Sequence, residues 1–318
     1  MKKTYLMIIQ VAGLLLLYTS TVYSQPLEQK FPVTKLTDRV YIIYAPLGIP
    51  SKENAGFRSN VSFVLTSQGV VVIDPGSSVH VGRMVLKHIS AITSQPVIAV
   101  FNTHIHGDHW LGNQAFFEAN PKLAIYGHKN MITQAQQGRG EHWIKLLNKM
   151  TDGAITGTRP VPPNHAITHG DTITIGDVGF HVLHSGNAHT DNDIMLHIPQ
   201  QQVLFCGDLV RNGLIGGENK YYLGSILAIN QAMATNSKIY IPGNGKAGGQ
   251  EIVEQYRRLM VTLYRTVEEY YNKGMEDFEI KSKVIEKLSP YRSWVQFSEN
   301  IGRLVNQVYL EIESRAFE

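Results

Sequence analysis

The stretch THIHGDH, residues 103–109, determines how the rest of this chain is interpreted. It follows the apolar run 96–101, which is typical of a buried strand, and a rigid strand can hold a loop of polar side chains in place. His104 and His106 are two residues apart, so in an extended loop both side chains face the same way and can share one metal ion. The aspartate and histidine that close the stretch then turn towards a second position. The stretch therefore predicts a metal site at the end of a strand.

The residue types in this stretch favour zinc. Neutral imidazoles are good zinc ligands, and three of them around an open fourth position form the arrangement of a catalytic zinc site. Chance would produce His-x-His-x-Asp-His about once in a thousand chains of this composition, so we interpret it as a metal-binding motif. Gly107 is expected to leave the backbone free for the tight turn between the two halves of the motif.

Three further segments accompany the motif in a recognisable order. Asp74 closes a strand before it, residues 186–190 read GNAHT, and residues 205–208 read FCGD. Together with THIHGDH they resemble the landmarks of the metallo-β-lactamase superfamily, over roughly residues 41–245. The resemblance implies an α/β fold, an αβ/βα four-layer sandwich, with Asp74 bracing the loop that carries the metal ligands.

The resemblance also implies two metal sites that share a bridging carboxylate. It assigns the first site to His104, His106 and His189, and the second to Asp108, His109 and the bridging Asp208. The cofactor is then one firmly bound zinc and a second that depends on the remaining ligand, with iron as the alternative metal.

One family landmark is different in this sequence. Members with two metals carry a histidine in a Pro-Gly-His-Gly segment, whereas residues 242–245 read PGNG. An amide oxygen is a weaker zinc ligand than an imidazole, so Asn244 is expected to be a weak ligand of the second site. No histidine follows His197 that could replace it.

Strand-like and helical patterns outline the same architecture. Two strand-rich halves are separated by a Gly-, Pro- and Thr-rich loop at 152–164, which predicts two sheets packed face to face and covered by helices. A single helix is expected at 130–149. We place the metallo-β-lactamase-like domain at 25–250 and a helical C-terminal extension at 251–318. The extension contains no histidine, so it is interpreted as a cap or an oligomerisation surface and not as a catalytic element.

The pattern of residues 1–24 predicts that the protein is exported. Lys2 and Lys3 precede an apolar stretch at 7–18 and a small-residue cleavage site, so residues 1–24 are interpreted as a signal peptide of a periplasmic or secreted protein. Its removal leaves 27 of the 29 basic residues against 26 acidic ones, a net charge of +1. No basic stripe is present, which argues against nucleic acid as a partner and against stable membrane association after cleavage.

The predicted function is hydrolysis of a small-molecule carbonyl substrate. A zinc-bound hydroxide would attack the carbonyl, with Asp108 as the catalytic group that orients the water or accepts its proton. Arg211 could bind a substrate carboxylate through its planar guanidinium, although a solvated surface arginine is an equal alternative. The resemblance leaves three chemistries open: cleavage of a β-lactam or similar amide, a glyoxalase II-like thioesterase or esterase reaction, and a mononuclear iron persulfide dioxygenase.

Two other residues are assigned ordinary roles. Cys206 is the only cysteine and lies in an apolar run, so it is interpreted as a small buried hydrophobic residue. His184 is close in sequence to the third predicted ligand. It is interpreted as a packed residue, with contact to the substrate or to a ligand as the weaker alternative.

Overall fold

Two β-sheets packed face to face carry the loops of the candidate site. The computed structural model describes residues 25–217 and 219–317. The predicted signal peptide, residues 1–24, lies outside the described residues. Within those described, no helix has both the length and the apolar character needed to cross a lipid bilayer.

The first sheet has seven strands in sequential order. Strands β1 to β4 pair antiparallel, and β4 to β7 pair parallel. Their bounds are β1 Val33–Lys35, β2 Val40–Ile43, β3 Val61–Leu65, β4 Val70–Ile73, β5 Val97–Phe101, β6 Ala124–His128 and β7 His165–Ile167.

The second sheet has five strands in the order β12-β11-β10-β9-β8, in which only β11 and β12 pair parallel. Their bounds are β8 Thr172–Ile175, β9 Val178–Leu183, β10 Met195–Ile198, β11 Val203–Arg211 and β12 Ile239–Asn244. Apolar side chains from both sheets fill the space between them, and the rings of Phe101 and Phe180 stack there with centroids 5.1 Å apart.

Helices cover the outer faces of both sheets. They are α1 Leu27–Lys30, α2 Val79–Ile92, α3 Gly107–Trp110, α4 Asn113–Ala119, α5 Lys129–Gln134, α6 Gly140–Met150, α7 Tyr222–Ala234, α8 Gln250–Tyr271, α9 Asp277–Lys287 and α10 Phe297–Ala316. The first sheet packs against α2 and α4, and the second against α7 and α8. The predicted αβ/βα four-layer sandwich is confirmed.

The helix predicted at 130–149 is interrupted. A π-helical segment, Ala135–Arg139, separates α5 from α6. Gly138 within it has φ of +91°, a conformation that no residue of a regular right-handed α-helix adopts. The interruption changes the direction of the chain, and α6 runs beside the short helix α3 that carries the end of the motif.

The C-terminal helices belong to the core of the second half of the fold. Buried side chains of α8, α9 and α10 form one hydrophobic cluster with residues of α7 and β11. The chain between α9 and α10 also contacts the loop after β11, since Val295 accepts a hydrogen bond from Ile215 and donates one to Gly213. As a result α10 lies beside a loop that borders the candidate site.

Candidate metal centre

Asp74 fixes the start of the ligand-bearing loop. Its Oδ1 accepts a hydrogen bond from the backbone N of Thr103 at 2.8 Å, and its Oδ2 accepts one from Thr103 Oγ1 at 2.7 Å. The same Oδ2 lies 2.8 Å from Nδ1 of His109. The carboxylate is buried and ties the end of β5 to the following helix, so it holds the two halves of the motif in a fixed relation.

Four side chains converge on one point beyond the end of β5. Donor atoms of His104, His106, His189 and Asp208 all lie within 4.8 Å of one another. The Nδ1 atom of His106 and the Nε2 atom of His189 are 3.0 Å apart. Among the described residues, buried Nε2 of His104 has no hydrogen-bond partner. Three ring nitrogens, one of them buried and without a partner, and a carboxylate fit a single zinc-sized ion.

Hydrogen bonds on the outer side of the rings orient these donors. His104 Nδ1 lies 3.0 Å from Thr103 Oγ1, and His189 Nδ1 lies 2.9 Å from Oδ1 of Asn219. Such contacts set the tautomer and turn the other nitrogen towards the metal. Burial, followed by the charges of neighbouring groups, holds the pKa of both rings well below the usual value for histidine. Both imidazoles are therefore neutral at neutral pH, as metal binding requires.

A second group of donors adjoins the first through Asp208. His109 Nε2 lies 3.3 Å from Asp208 Oδ1 and 3.8 Å from Asp108 Oδ2. Ser59 Oγ donates to Asp108 Oδ2 at 2.6 Å and lies 2.9 Å from His109 Nε2. Burial opposes the charged form of His109, but the carboxylates of Asp208, Asp74 and Asp108 outweigh it and raise its pKa well above the usual value.

Asp208 and Arg211 form a buried ion pair at the end of β11. Arg211 Nη2 lies 2.9 Å from Asp208 Oδ2, and Nη1 of the same guanidinium is 3.4 Å from the hydroxyl of Tyr256. Burial works against the charge of Asp208, but Arg211 and His109 hold its pKa well below the usual range. Arg211, which was predicted to bind a substrate carboxylate, is thus paired with Asp208. Its positive charge keeps the carboxylate of Asp208 ionised and oriented.

Asn244 lies at the end of β12 beside the second group. Its Nδ2 donates to the backbone oxygen of Arg58 at 2.8 Å, while its buried Oδ1 has no hydrogen-bond partner among the described residues. The preceding Gly243 makes room for the carboxylate of Asp208, because a Cβ there would lie 2.0 Å from Asp208 Oδ1. The position is thus compatible with a weak oxygen ligand.

Gly107 is required for a different reason from the one expected. It begins helix α3 and is not among the residues with positive φ. A Cβ at this position would instead lie 2.6 Å from Cβ of Trp143 on α6. The indole of Trp143 consequently reaches His106, with ring centroids 5.0 Å apart. The glycine allows α6 to form a wall of the site.

Two cavities open on the metal donors, and both are lined by His106 and His189. One has a volume of about 500 Å³ and the other about 410 Å³. Arg303, from the C-terminal helix α10, lines both. Helix α10 of the C-terminal extension therefore forms part of the cavity walls, because contacts distant in sequence bring it to the donors.

Several residues at the site carry no motif that sequence reasoning could use. Ser59 and Asn219 contact donors from loops far from THIHGDH in sequence, and Arg58 Nε lies 3.6 Å from Asp108 Oδ2.

His184 instead stacks on His128 with centroids 4.3 Å apart, and its Nδ1 contacts the backbone oxygen of Asp193. Cys206 is buried, and burial raises its thiol pKa well above the usual value.

Comparison with known proteins identifies the family of this chain. The family model of the metallo-β-lactamase superfamily matches residues 55–263. A linear primary-alkylsulfatase from a Pseudomonas strain is 23% identical over 261 residues, which cover 70% of this chain and 49% of that protein. The acyl-coenzyme A thioesterase MBLAC2 of Gallus gallus is 29% identical over 177 residues, covering 50% of this chain and 60% of the thioesterase. The chain thus spans about half to three fifths of these relatives.

A solved structure shows the same fold. The metallo-β-lactamase from Pontibacter korlensis superposes with a TM-score of 0.59 at 21% identity, covering 72% of this chain and 98% of its own. The family match extends over more than half of the sequence and includes all four landmark segments. The chain belongs to the metallo-β-lactamase superfamily.

Proposed function

We propose that the protein is an exported zinc-dependent hydrolase that cleaves a small-molecule carbonyl substrate. The observation that carries this proposal is the cluster of His104, His106, His189 and Asp208, whose donors lie within 4.8 Å and open on two cavities. Zinc in such a site polarises a carbonyl and activates water for attack.

Asp108 has the best position to handle the proton of the attacking water. It lies outside the four-donor cluster, lines the cavity of about 410 Å³ and accepts a hydrogen bond from Ser59. Burial works against its charge, but the charges of His109 and Arg58 lower its pKa, so the carboxylate is ionised at neutral pH. An ionised carboxylate beside the substrate cavity can orient water and accept its proton.

The bond that is cleaved belongs to one of the classes handled by relatives. An ester or thioester is supported by the thioesterase relative, and a β-lactam by the solved β-lactamase. The alkylsulfatase relative makes a sulfate ester the comparison substrate, and preferred hydrolysis of a sulfate ester would contradict a carbonyl substrate. Iron is the alternative metal, since imidazole and carboxylate donors also bind iron, and it would support the persulfide dioxygenase chemistry.

Metal analysis of the purified protein tests the proposal. We expect at least one zinc per chain, a clear loss of metal in His106→Ala, and unchanged metal in His165→Ala, whose side chain is exposed and outside the cluster. Far-UV circular dichroism should show that both variants fold. Iron in place of zinc, or full metal content in His106→Ala, would contradict the assignment. A chromogenic β-lactam, a thioester and an aryl sulfate then identify the bond.

We also propose that export removes residues 1–24, which places the mature protein in the periplasm or outside the cell. The proposal rests on Lys2, Lys3 and the apolar stretch that follows them. Mass spectrometry of protein from the envelope or medium should find an N-terminus near Gln25, and full-length cytoplasmic protein would contradict it.

A further inference from the structure

The two cavities at the metal donors meet at three residues. His106, His189 and Arg303 line both of them. One ligand can therefore occupy both cavities at once with its reacting group at the shared edge, beside the two imidazoles. The other lining residues differ in character between the cavities, which indicates what kind of ligand fits.

The larger cavity is cationic. Arg139, Lys220 and Arg303 line it, and among its described lining residues Asp191 is the only carboxylate. Asp191 lies 3.4 Å from Nζ of Lys220 and accepts a hydrogen bond from Gln134. Its negative charge therefore neutralises only the charge of Lys220. Three cations against one carboxylate leave two positive charges next to the donors. Such a cavity favours an anionic group.

Arg303 is held in place by the helix that carries it. Asn300 donates to the backbone oxygen of Ile215 at 2.7 Å, and Gln307 accepts from the hydroxyl of Tyr222 at 2.9 Å. Positions 300, 303 and 307 lie on one face of α10, because residues three and four apart are neighbours on a helix. Arg303 therefore projects towards the site between two fixed points.

The same helix face is anchored once more, one turn further along. Both oxygens of Glu311 accept from the first backbone N–H groups of α7, at 2.6 and 3.1 Å. Nη1 of Arg303 lies against Gly217, where a Cβ would be 3.2 Å away. The backbone that carries Arg303 is thus fixed beside both cavities, while its side chain remains exposed to an incoming ligand.

The smaller cavity has an apolar wall on the side of α6. Trp143, Leu146 and Met150 line it, and the last two remain 38% and 39% exposed. Large apolar side chains left exposed beside a site are typical of a surface that binds apolar ligand. The indole of Trp143 lies between His106 and Arg139, with centroid distances of 5.0 and 6.0 Å. It therefore brings the apolar wall next to two residues that line the cationic cavity.

We propose that the substrate is an anionic amphiphile, whose anionic group binds to Arg303, Arg139 and Lys220 and whose apolar chain lies along Trp143, Leu146 and Met150. This inference rests on the proposed function only where it assumes that a bond between the anionic group and the apolar chain is cleaved. Binding of such a ligand does not itself require a reaction. The anionic group is a carboxylate, sulfate or sulfonate, and Arg303 from the C-terminal extension is its central contact.

Calorimetric titration of the zinc-loaded mature protein tests the site with ligands that it cannot hydrolyse. Octanesulfonate is the probe, butanesulfonate shortens the chain, and octanol removes the charge. We expect octanesulfonate to bind more tightly than both, with a gain of up to about fourfold per added methylene, the value for a fully buried methylene. Arg303→Gln should weaken octanesulfonate about tenfold, the effect of losing one charge-assisted hydrogen bond. Octanoate then distinguishes a carboxylate from a sulfonate as the preferred anion.

Matched controls separate this site from general charge effects. Arg265→Gln removes the same charge from an exposed position on α8 outside both cavities and should leave binding unchanged. Met150→Ser should reduce the dependence on chain length while butanesulfonate binds as before. Equal binding of octanesulfonate by Arg303→Gln and wild type would overturn the inference. If the site binds sulfonates as described but no ester, thioester, β-lactam or sulfate ester is hydrolysed, only the proposed function fails.

Discussion

At the scale of single residues, Asp108 differs from the four converging donors in its contacts. Its Oδ2 accepts from Ser59 at 2.6 Å and lies 3.6 Å from Nε of Arg58. Asp108→Asn preserves the shape of the side chain and removes the charge. We expect turnover to fall about 10²- to 10⁴-fold, the usual contribution of a general base. Zinc content should stay near one per chain.

Asp152→Asn is the matched control for this variant, because Asp152 pairs with Lys52 at an exposed position. Elemental analysis would measure zinc content, and steady-state kinetics on the identified substrate would measure turnover. Near-native turnover of Asp108→Asn would exclude the role in proton transfer.

Asn244 is the residue at which this chain differs from the family pattern. Wild-type protein should bind a second zinc much less tightly than the first, because Asn244 offers only an amide oxygen. Asn244→His places an imidazole beside His109 and Asp208, and zinc–nitrogen bonds of about 2.0–2.1 Å are then possible. The second-metal affinity should rise.

Zinc titration by calorimetry distinguishes the two proteins. The variant also loses the hydrogen bond to the backbone oxygen of Arg58, so its thermal unfolding must be measured as well. Tight binding of two zinc ions by both proteins would show that Asn244, or a residue beside it, already completes the second site.

At the scale of elements, an ion pair joins turns of the two sheets. Asp177, between β8 and β9, pairs with Arg39 before β2 at 2.6 Å and accepts from the backbone N of Ser67, between β3 and β4, at 2.9 Å. The hydrogen bonds from Arg39 and Ser67 lower the pKa of Asp177 to about 2. A depressed carboxyl pKa means that its stabilisation is complete above the unfolded value of 3.8 and is lost towards pH 2.

Asp177→Asn should therefore lower the free energy of unfolding by a constant amount above about pH 5, and by less as the pH falls below 3.8. The difference should also shrink with added salt, because the pair is partly exposed. Urea denaturation at pH 6 and pH 3 measures the difference in the free energy of unfolding between variant and wild type. Asp38→Asn is the control for an exposed pair. A difference that grows at low pH would contradict the assignment.

At the scale of the whole molecule, the C-terminal helices and the second sheet share one hydrophobic cluster. Fragment 25–250 would leave the covered faces of α7 and β11 open to water. We expect it to lack a cooperative urea transition, whereas mature protein 25–318 should unfold cooperatively. Near-UV circular dichroism provides a second measure. A fragment with native near-UV signal and a cooperative transition would show that the boundary at 250 separates independent units.

Local sequence patterns were sufficient to predict two helix-covered sheets and the metal-binding stretch, whereas the four-layer sandwich followed from the family resemblance. Strand β5 lies within the apolar run 96–101 that predicted it, because a continuous apolar run is a local property of the sequence. The motif 103–109 could be found for the same reason, since its donors are separated by one or two residues along a single loop. His189 and Asp208 could be assigned only through the family resemblance, because no local spacing connects them to the motif.

The tertiary structure alone decided which distant groups complete the site. Ser59 and Asn219 have no sequence spacing that relates them to the histidines they contact, and Gly138 ended a helix that periodicity alone favoured. Arg303 lies in a tail without histidine, yet packing of α10 on the loop after β11 places it beside His106 and His189. Apolar periodicity reports which face of a helix is buried, but not what that face packs against. The motif residues were therefore readable from the chain and the two distant donors from the family resemblance, whereas the candidate cavities depended on how the helices pack.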